Sequence, residues 1–100
     1  MEIFIQRYIL SEHEHADFIE IKMRHRLMYF SYTYWFKDKS GNVRPIVRWD
    51  NFGGQIHYDA YDTNQQLFKQ QNCEYKDPRE VIRLITIFRQ NLANMDLNKL

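Results

Sequence analysis

The sequence has little cysteine, glycine or proline, and almost no net charge. Its single cysteine, Cys73, excludes an intramolecular disulfide and a zinc site built from cysteines. Fourteen basic and thirteen acidic side chains leave a net charge of +1, which argues against binding to nucleic acid or membrane by bulk charge alone. No run approaches the roughly 20 apolar residues that span a bilayer, and the first ten residues lack a signal-peptide pattern. These absences predict a cytoplasmic protein with no membrane partner.

Aromatic residues, by contrast, are plentiful. The length of 100 residues predicts a single domain over residues 1–100. A chain of this size buries only about two-thirds of the surface that its unfolded form exposes, so large side chains must supply the core. Aromatic residues make up 16% of the chain, and each ring removes roughly 150–250 Å² from water. We therefore expect a small core built mainly from rings.

Alternation of apolar and polar residues, interrupted by turn residues, predicts five or six strands. The strongest prediction is LMYFSYTYWF, residues 27–36, because almost every residue is aromatic or β-branched. Ser40-Gly41-Asn42 and the Gly53-Gly54 pair have the composition of turns. Short turns between consecutive strands are typical of an antiparallel meander. The other predicted strands are residues 2–10, 18–24, 43–50, 55–62 and 67–70, with a polar loop over residues 11–17.

After residue 77 the apolar period changes from two to between three and four, which predicts one α-helix over residues 77–95. Asp77 is a suitable N-cap, and Pro78 suits the first helical position. Together these elements predict an α+β fold in which an antiparallel meander of five or six strands carries one C-terminal helix on one face. The predicted apolar stripe of the helix consists of Val81, Leu84, Ile85, Phe88 and Leu92.

Residues 48–62, RWDNFGGQIHYDAYD, contain the adjacent glycines and most of the chain's candidate chemistry. If the strands on either side pair across this turn, an arginine, a histidine and two aspartates share one face of the sheet. An imidazole titrating near neutrality, carboxylates that orient it and a guanidinium that binds phosphate are the parts needed to cleave RNA without a metal or other cofactor. The predicted catalytic residues are Arg48, Asp50, His57 and Asp59.

Other interpretations stay open. Arginine and aspartate on a strand face are commonly solvated cross-strand pairs, worth up to about 1 kcal/mol. His13 and His15, flanked by Glu12 and Glu14, are candidate zinc ligands or simply part of a polar loop. KMRHR, residues 22–26, precedes the aromatic run and is either an RNA-binding surface or an ordinary strand end.

Residues 26–95 resemble the TumE-type family of small prokaryotic toxins and related uncharacterised archaeal and bacterial domains. The likeness follows the aromatic strand, the VRWDN segment, the glycine bend, the histidine segment that ends near YD, and the C-terminal helix. Its most specific part is Arg48-Trp49-Asp50-Asn51 followed by His57. Family members typically carry more than one histidine in this bend, whereas here Asp59 stands where a second histidine is expected.

The resemblance implies the toxin of a toxin–antitoxin system that acts on RNA or translation, with an antitoxin protein and RNA as partners. The residues also allow a different class of function. A small sheet covered on one side leaves its other face available to a partner. The alternative prediction is therefore a non-enzymatic interaction module, for example a homodimer.

Overall fold

In the part of the chain that the computed structural model describes, six strands follow one another as an antiparallel meander, in the sheet order β1 to β6, and one helix follows them. The structure describes residues 1–61 and 66–93. This architecture confirms the predicted fold class. Within the described ranges, no helix has the length and apolar character needed to cross a membrane. The elements are β1 (Glu2–Ile9), β2 (Glu14–Met23), β3 (Arg26–Lys37), β4 (Val43–Asp50), β5 (His57–Tyr61), β6 (Leu67–Asn72) and α1 (Pro78–Ala93).

The second strand begins earlier than predicted. β2 starts at Glu14, so the predicted polar loop over residues 11–17 is too long. Polar side chains in this segment have partners inside the sheet: Asp17 pairs with Arg7 at 2.7 Å, and the His15 ring stacks on a tryptophan of β3. Such cross-strand partners stabilise a strand. A local hydrophobic pattern does not contain these partners, so it predicts the start of the strand at residue 18 and not at Glu14.

The hydrophobic core lies between α1 and one face of the sheet. Two tyrosines at its centre have satisfied hydroxyls, because Tyr32 donates to Glu20 and Tyr34 donates to Glu14. Burial, reinforced by these hydrogen bonds, raises the pKa of both phenols. The rings are thus kept neutral inside the core, as the aromatic composition requires. The buried cluster consists of Ala16, Phe18, Phe30, Tyr32, Tyr34, Val47, Trp49, Val81 and Ile85.

The helix begins as predicted. Asp77 Oδ1 accepts a hydrogen bond from the backbone N–H of Glu80 at 2.9 Å, which confirms the N-cap. Of the predicted apolar stripe, the first three residues pack against the core. The side chains of Phe88 and Leu92 lie outside the described part of the chain, as do residues 94–95 of the predicted helix and residues 62–65 between β5 and β6.

An ion pair ties the later part of α1 to the start of β2. The Arg89 guanidinium donates to both carboxylate oxygens of Glu14, at 2.9 and 3.0 Å. Ser11 and Tyr34 donate to the same carboxylate. Burial by itself raises the pKa of Glu14, but these hydrogen bonds outweigh it and hold the pKa below its usual value. The helix is therefore fixed to the sheet by charge as well as by apolar contact.

The face of the sheet opposite α1, called the open face below, carries both polar and apolar side chains. On the edge strand β1, Ile3, Ile5 and Ile9 have 57%, 74% and 72% of their surface exposed. Ile3 and Ile5 lie opposite Ile21 and Ile19 of β2. An isoleucine patch therefore occupies one side of the open face, and β4 and β5 lie on the other side.

Candidate active site

Pairing of β4 with β5 brings the predicted residues together. Asp50 lies opposite His57, and Arg48 lies opposite Asp59. Directly opposed residues share a face of the sheet. Val47 alternates with these residues and belongs to the core beneath α1, so the four polar side chains are on the open face. This juxtaposition is the one that the glycine turn and the period-two pattern predicted.

The connection between β4 and β5 fixes this register. Gly53 and Gly54 have φ angles of +83° and +92°, values that side-chain-bearing residues rarely adopt. Asn51 holds the turn against β3, because its side chain accepts from Phe30 N at 3.1 Å and donates to Met28 O at 3.1 Å. Sequence reasoning assigned no role to Asn51. Apart from its place in the segment that resembles TumE-type toxins, the available signal was its position directly after a strand, where side-chain amides commonly bond to the backbone of a turn.

Arg48 forms ion pairs with both aspartates. Its Nε lies 2.9 Å from Asp50 Oδ2, although the N–H bond is not directed at that oxygen, and its Nη2 donates to Asp59 Oδ2 at 3.3 Å. The carboxylates are buried, with Asp50 2% and Asp59 4% exposed, whereas 42% of the Arg48 side chain is exposed. The guanidinium therefore connects buried negative charge to the solvent-facing side of the cluster.

The pKa of Arg48 reflects this position. Burial opposes the charged form of the guanidinium. The neighbouring phenol of Tyr61 and the carboxylates of the two aspartates act the other way and raise the pKa of Arg48 above its ordinary value. The side chain thus stays cationic, and it neutralises one of the two buried negative charges.

His57 has both ring nitrogens engaged within the cluster. Its Nδ1 lies 2.8 Å from the backbone oxygen of Gln55. A carbonyl oxygen only accepts, so Nδ1 must carry the hydrogen. Its Nε2 lies 3.2 Å from Asp50 Oδ1 and 3.7 Å from Asp59 Oδ2. Nε2 therefore faces oxygens of two carboxylates, and Arg48 contacts the same two carboxylates from the side of the cavity.

The cluster opens into a cavity of about 390 Å³ on the open face. Three of its lining residues were missed from the sequence: Tyr29 of β3, Phe52 of the turn and Gln70 of β6. Gln70 donates to Asp59 Oδ1 at 2.9 Å, because β5 and β6 pair in a register that sets these two residues opposite each other. The local sequence pattern does not predict the register of β6, so it gives no signal for Gln70. Phe52 does carry a signal, because an apolar residue in a turn is unusual.

The other candidate motifs lie elsewhere. His13 is exposed, and His15 is half-buried with its Nε2 3.7 Å from Asp17. Burial lowers the pKa of His15. Among the described residues, the group of three potential ligands that lie within reach of one ion is Asp50, His57 and Asp59, and it does not include His13 or His15.

Residues 22–26 span the end of β2, the two-residue reversal and the start of β3. Arg24 and His25 have φ angles of +52° and +65°. From Tyr29 in the cavity wall, β3 runs back to Arg26, a separation of roughly 10 Å at about 3.3 Å per residue. A group of basic residues thus lies near the cavity, although it does not line it.

No protein-family model, curated protein or solved structure matches this chain. The resemblance to TumE-type toxins therefore stays a prediction, and so do the catalytic roles given to the four clustered residues. What the chain can do chemically is argued below from its own side chains.

Proposed function

We propose that the protein binds RNA on the open face and cleaves it at the Arg48–Asp50–His57–Asp59 cluster, acting as the toxin of a toxin–antitoxin pair with an antitoxin protein as its inhibitor. The observation that supports this most is the convergence of the four side chains in one accessible cavity. A guanidinium, an imidazole and two carboxylates provide a phosphate contact, a proton carrier and its orienting partner.

In this proposal Arg48 binds the phosphate. A guanidinium has five N–H donors in a planar fork, more than its contacts with Asp50 and Asp59 use. Because 42% of the side chain is exposed, a phosphate oxygen can approach it from the cavity. The carboxylates of Asp50 and Asp59, on the buried side of the cluster, hold the guanidinium in place. This preorganisation lowers the entropic cost of binding a phosphate.

Proton transfer falls to His57, which Asp50 and the Gln55 carbonyl orient from opposite sides of the ring. In cleavage of RNA, the ribose 2′-hydroxyl loses its proton and attacks phosphorus. The bond to the 5′-oxygen breaks, and that oxygen gains a proton, leaving a cyclic phosphate. A positioned imidazole that moves such a proton typically accelerates a reaction by about 10²–10⁴-fold.

Base recognition is assigned to the aromatic side chains of the cavity. Phe52 is 78% exposed, and Tyr29, which is partly exposed, also lines the cavity. RNA-binding proteins stack unpaired bases on such rings, with each stacked base worth about 1–3 kcal/mol. The basic segment at residues 22–26 adds charge on the path of a bound strand.

The test is cleavage of a fluorescent single-stranded RNA, with the 2′-deoxy analogue as a second substrate. We expect cleavage of RNA alone, a loss of at least 100-fold in His57→Ala, and full activity in the matched control His15→Ala. Expression of the wild-type chain, but not of His57→Ala, should slow growth of a bacterial host. Equal activity of wild type and His57→Ala in folded protein would exclude the catalytic role of His57.

A second candidate function, a homodimeric interaction module, is favoured by the isoleucine patch. The edge strand β1 combines exposed isoleucines with a row of backbone groups that a second strand can pair with. Light scattering should then show a dimer that Ile5→Lys converts to a monomer. A monomeric wild-type chain at the concentrations tested would reject this second function.

A further inference from the structure

The arrangement around His57 Nε2 carries an inference beyond RNA cleavage. In the neutral ring, Nδ1 holds the hydrogen that is donated to Gln55, so Nε2 presents a lone pair to two carboxylates. Three groups that all accept hydrogen bonds then face one point, at a site where burial makes such repulsion costly. This arrangement is typical of side chains gathered around a cation.

We propose that Asp50, His57 and Asp59 bind one divalent transition-metal ion. Their ligand atoms all lie within 4.8 Å of one another. With metal–ligand bonds of about 2.1 Å, ligands at right-angled or tetrahedral positions are about 3.0–3.4 Å apart. His57 Nε2 is 3.2 Å from Asp50 Oδ1 and 3.7 Å from Asp59 Oδ2. The two separations from His57 therefore lie within or close to the range that a bound ion requires.

Each of the three ligands also has a partner that orients it. The Phe52 backbone N–H donates to Asp50 Oδ1 at 2.9 Å, and Gln70 donates to Asp59 Oδ1 at 2.9 Å. The Gln55 carbonyl accepts from His57 Nδ1 at 2.8 Å. Metal-binding histidines characteristically donate their second N–H to a carbonyl or a carboxylate, and bound carboxylates are themselves hydrogen-bonded. These hydrogen bonds to the three side chains are the kind that surround metal ligands, and a chance cluster of charged side chains would not need them.

The ligand set also restricts the kind of metal. One imidazole with two carboxylates suits Mn²⁺, Fe²⁺, Co²⁺ or Zn²⁺, whereas Cu⁺ prefers sulfur and Ca²⁺ prefers oxygen ligands alone. Three protein ligands leave positions free for water or substrate on the cavity side.

Charge supports the same conclusion. With a neutral imidazole, Arg48 and the two aspartates sum to −1, and a divalent ion changes this to +1. The cavity would then attract a phosphate. The sequence led to an expectation of cleavage without a metal, and that expectation is untested. A bound ion would occupy His57 Nε2, so His57 could carry a proton only in the metal-free form. Metal binding is a property of the three side chains whether or not RNA is the substrate.

The test uses the full chain without a His-tag, freed of metal by EDTA and dialysed. Mn²⁺ is titrated in by calorimetry, and the bound ion is followed by electron paramagnetic resonance. We expect one saturable site per chain and a loss of affinity of at least tenfold in both His57→Gln and Asp59→Asn. The matched control His15→Ala should bind Mn²⁺ as the wild type does.

Circular dichroism and urea unfolding of each variant without metal establish that it is folded. As a second measurement, Mn²⁺ should raise the melting temperature of the wild type but not of Asp59→Asn. The proposal is overturned if the wild type shows no saturable site, if folded Asp59→Asn and His57→Gln bind as tightly as the wild type, or if His15→Ala abolishes binding. In those cases Asp50, His57 and Asp59 do not form the metal site. RNA cleavage in EDTA is scored separately, so that either proposal can fail alone.

Discussion

Replacing Arg48 with methionine removes the cation that contacts both buried aspartates of the cluster. Methionine keeps much of the length and the apolar stem of arginine, so the main loss is electrostatic. Asp50 and Asp59 are 2% and 4% exposed, and without the guanidinium their charges face each other with less compensation. Arg48→Met therefore isolates the energetic role of the guanidinium in the fold.

The magnitude follows from burial. Removing one partner of a fully buried ion pair typically costs about 3–5 kcal/mol. Because 42% of the Arg48 side chain is exposed, solvent screens part of this interaction. We expect a loss of about 2–3 kcal/mol, a large share of the 5–15 kcal/mol typical of a domain. At roughly 4–8 °C per kcal/mol, the melting temperature should fall by about 10–20 °C.

Urea unfolding at neutral pH in EDTA, followed by circular dichroism, measures this loss. Arg83→Met is the matched control, because Arg83 forms an exposed 3.4 Å pair with Glu80 and should cost less than about 0.5 kcal/mol. Adding Asp50→Asn to Arg48→Met should recover part of the stability, since it removes one uncompensated charge. The reasoning is refuted if Arg48→Met unfolds within about 0.5 kcal/mol of the wild type.

Three further predictions concern other parts of the molecule. The pKa of Glu14 is lowered in the folded state, so the stability it adds is full above about pH 4.5 and is lost as pH falls through the lower folded value. The urea midpoints of wild type and Glu14→Gln should therefore converge at acid pH, and a gap that widens there would contradict the assignment. His25 has φ +65°, so His25→Gly should stabilise the fold by about 1 kcal/mol in urea unfolding, whereas a loss of stability would show that its side chain makes a needed contact. Phe52→Ala should weaken RNA binding by about 5–100-fold in fluorescence anisotropy with unfolding unchanged, because its ring is exposed; unaltered binding would remove it from the RNA path.

The parts of the fold that are predictable from the sequence are those fixed by local rules. Period-two alternation along residues 43–50 assigns Arg48 and Asp50 to the face opposite Val47, and the structure confirms this. The adjacent glycines identify the reversal, and Asp77 identifies the start of the helix. Each of these signals acts within a few residues, so one sequence is enough to interpret it.

What could not be predicted depends on distant parts of the chain. Gln70 meets Asp59 only because of the β5–β6 register, and Tyr29 joins the cavity only because β3 lies beside β4. The start of β2 at Glu14 depends on partners in neighbouring strands, and Glu14 itself pairs with Arg89, which is 75 positions away in the sequence. The tautomer of His57 follows from one carbonyl contact, to Gln55, that no residue pattern encodes.

The meander has a consequence for how the chain folds. Every strand pairs with its neighbours in sequence, so hairpins can form one after another as they are synthesised. The aromatic face of the sheet, however, stays exposed to water until Val81 and Ile85 of α1 pack against it. A nascent chain that ends before Pro78 would have six paired strands and an exposed aromatic surface that is prone to aggregate. Completion of this small domain therefore waits for its final helix, and aggregation competes until then.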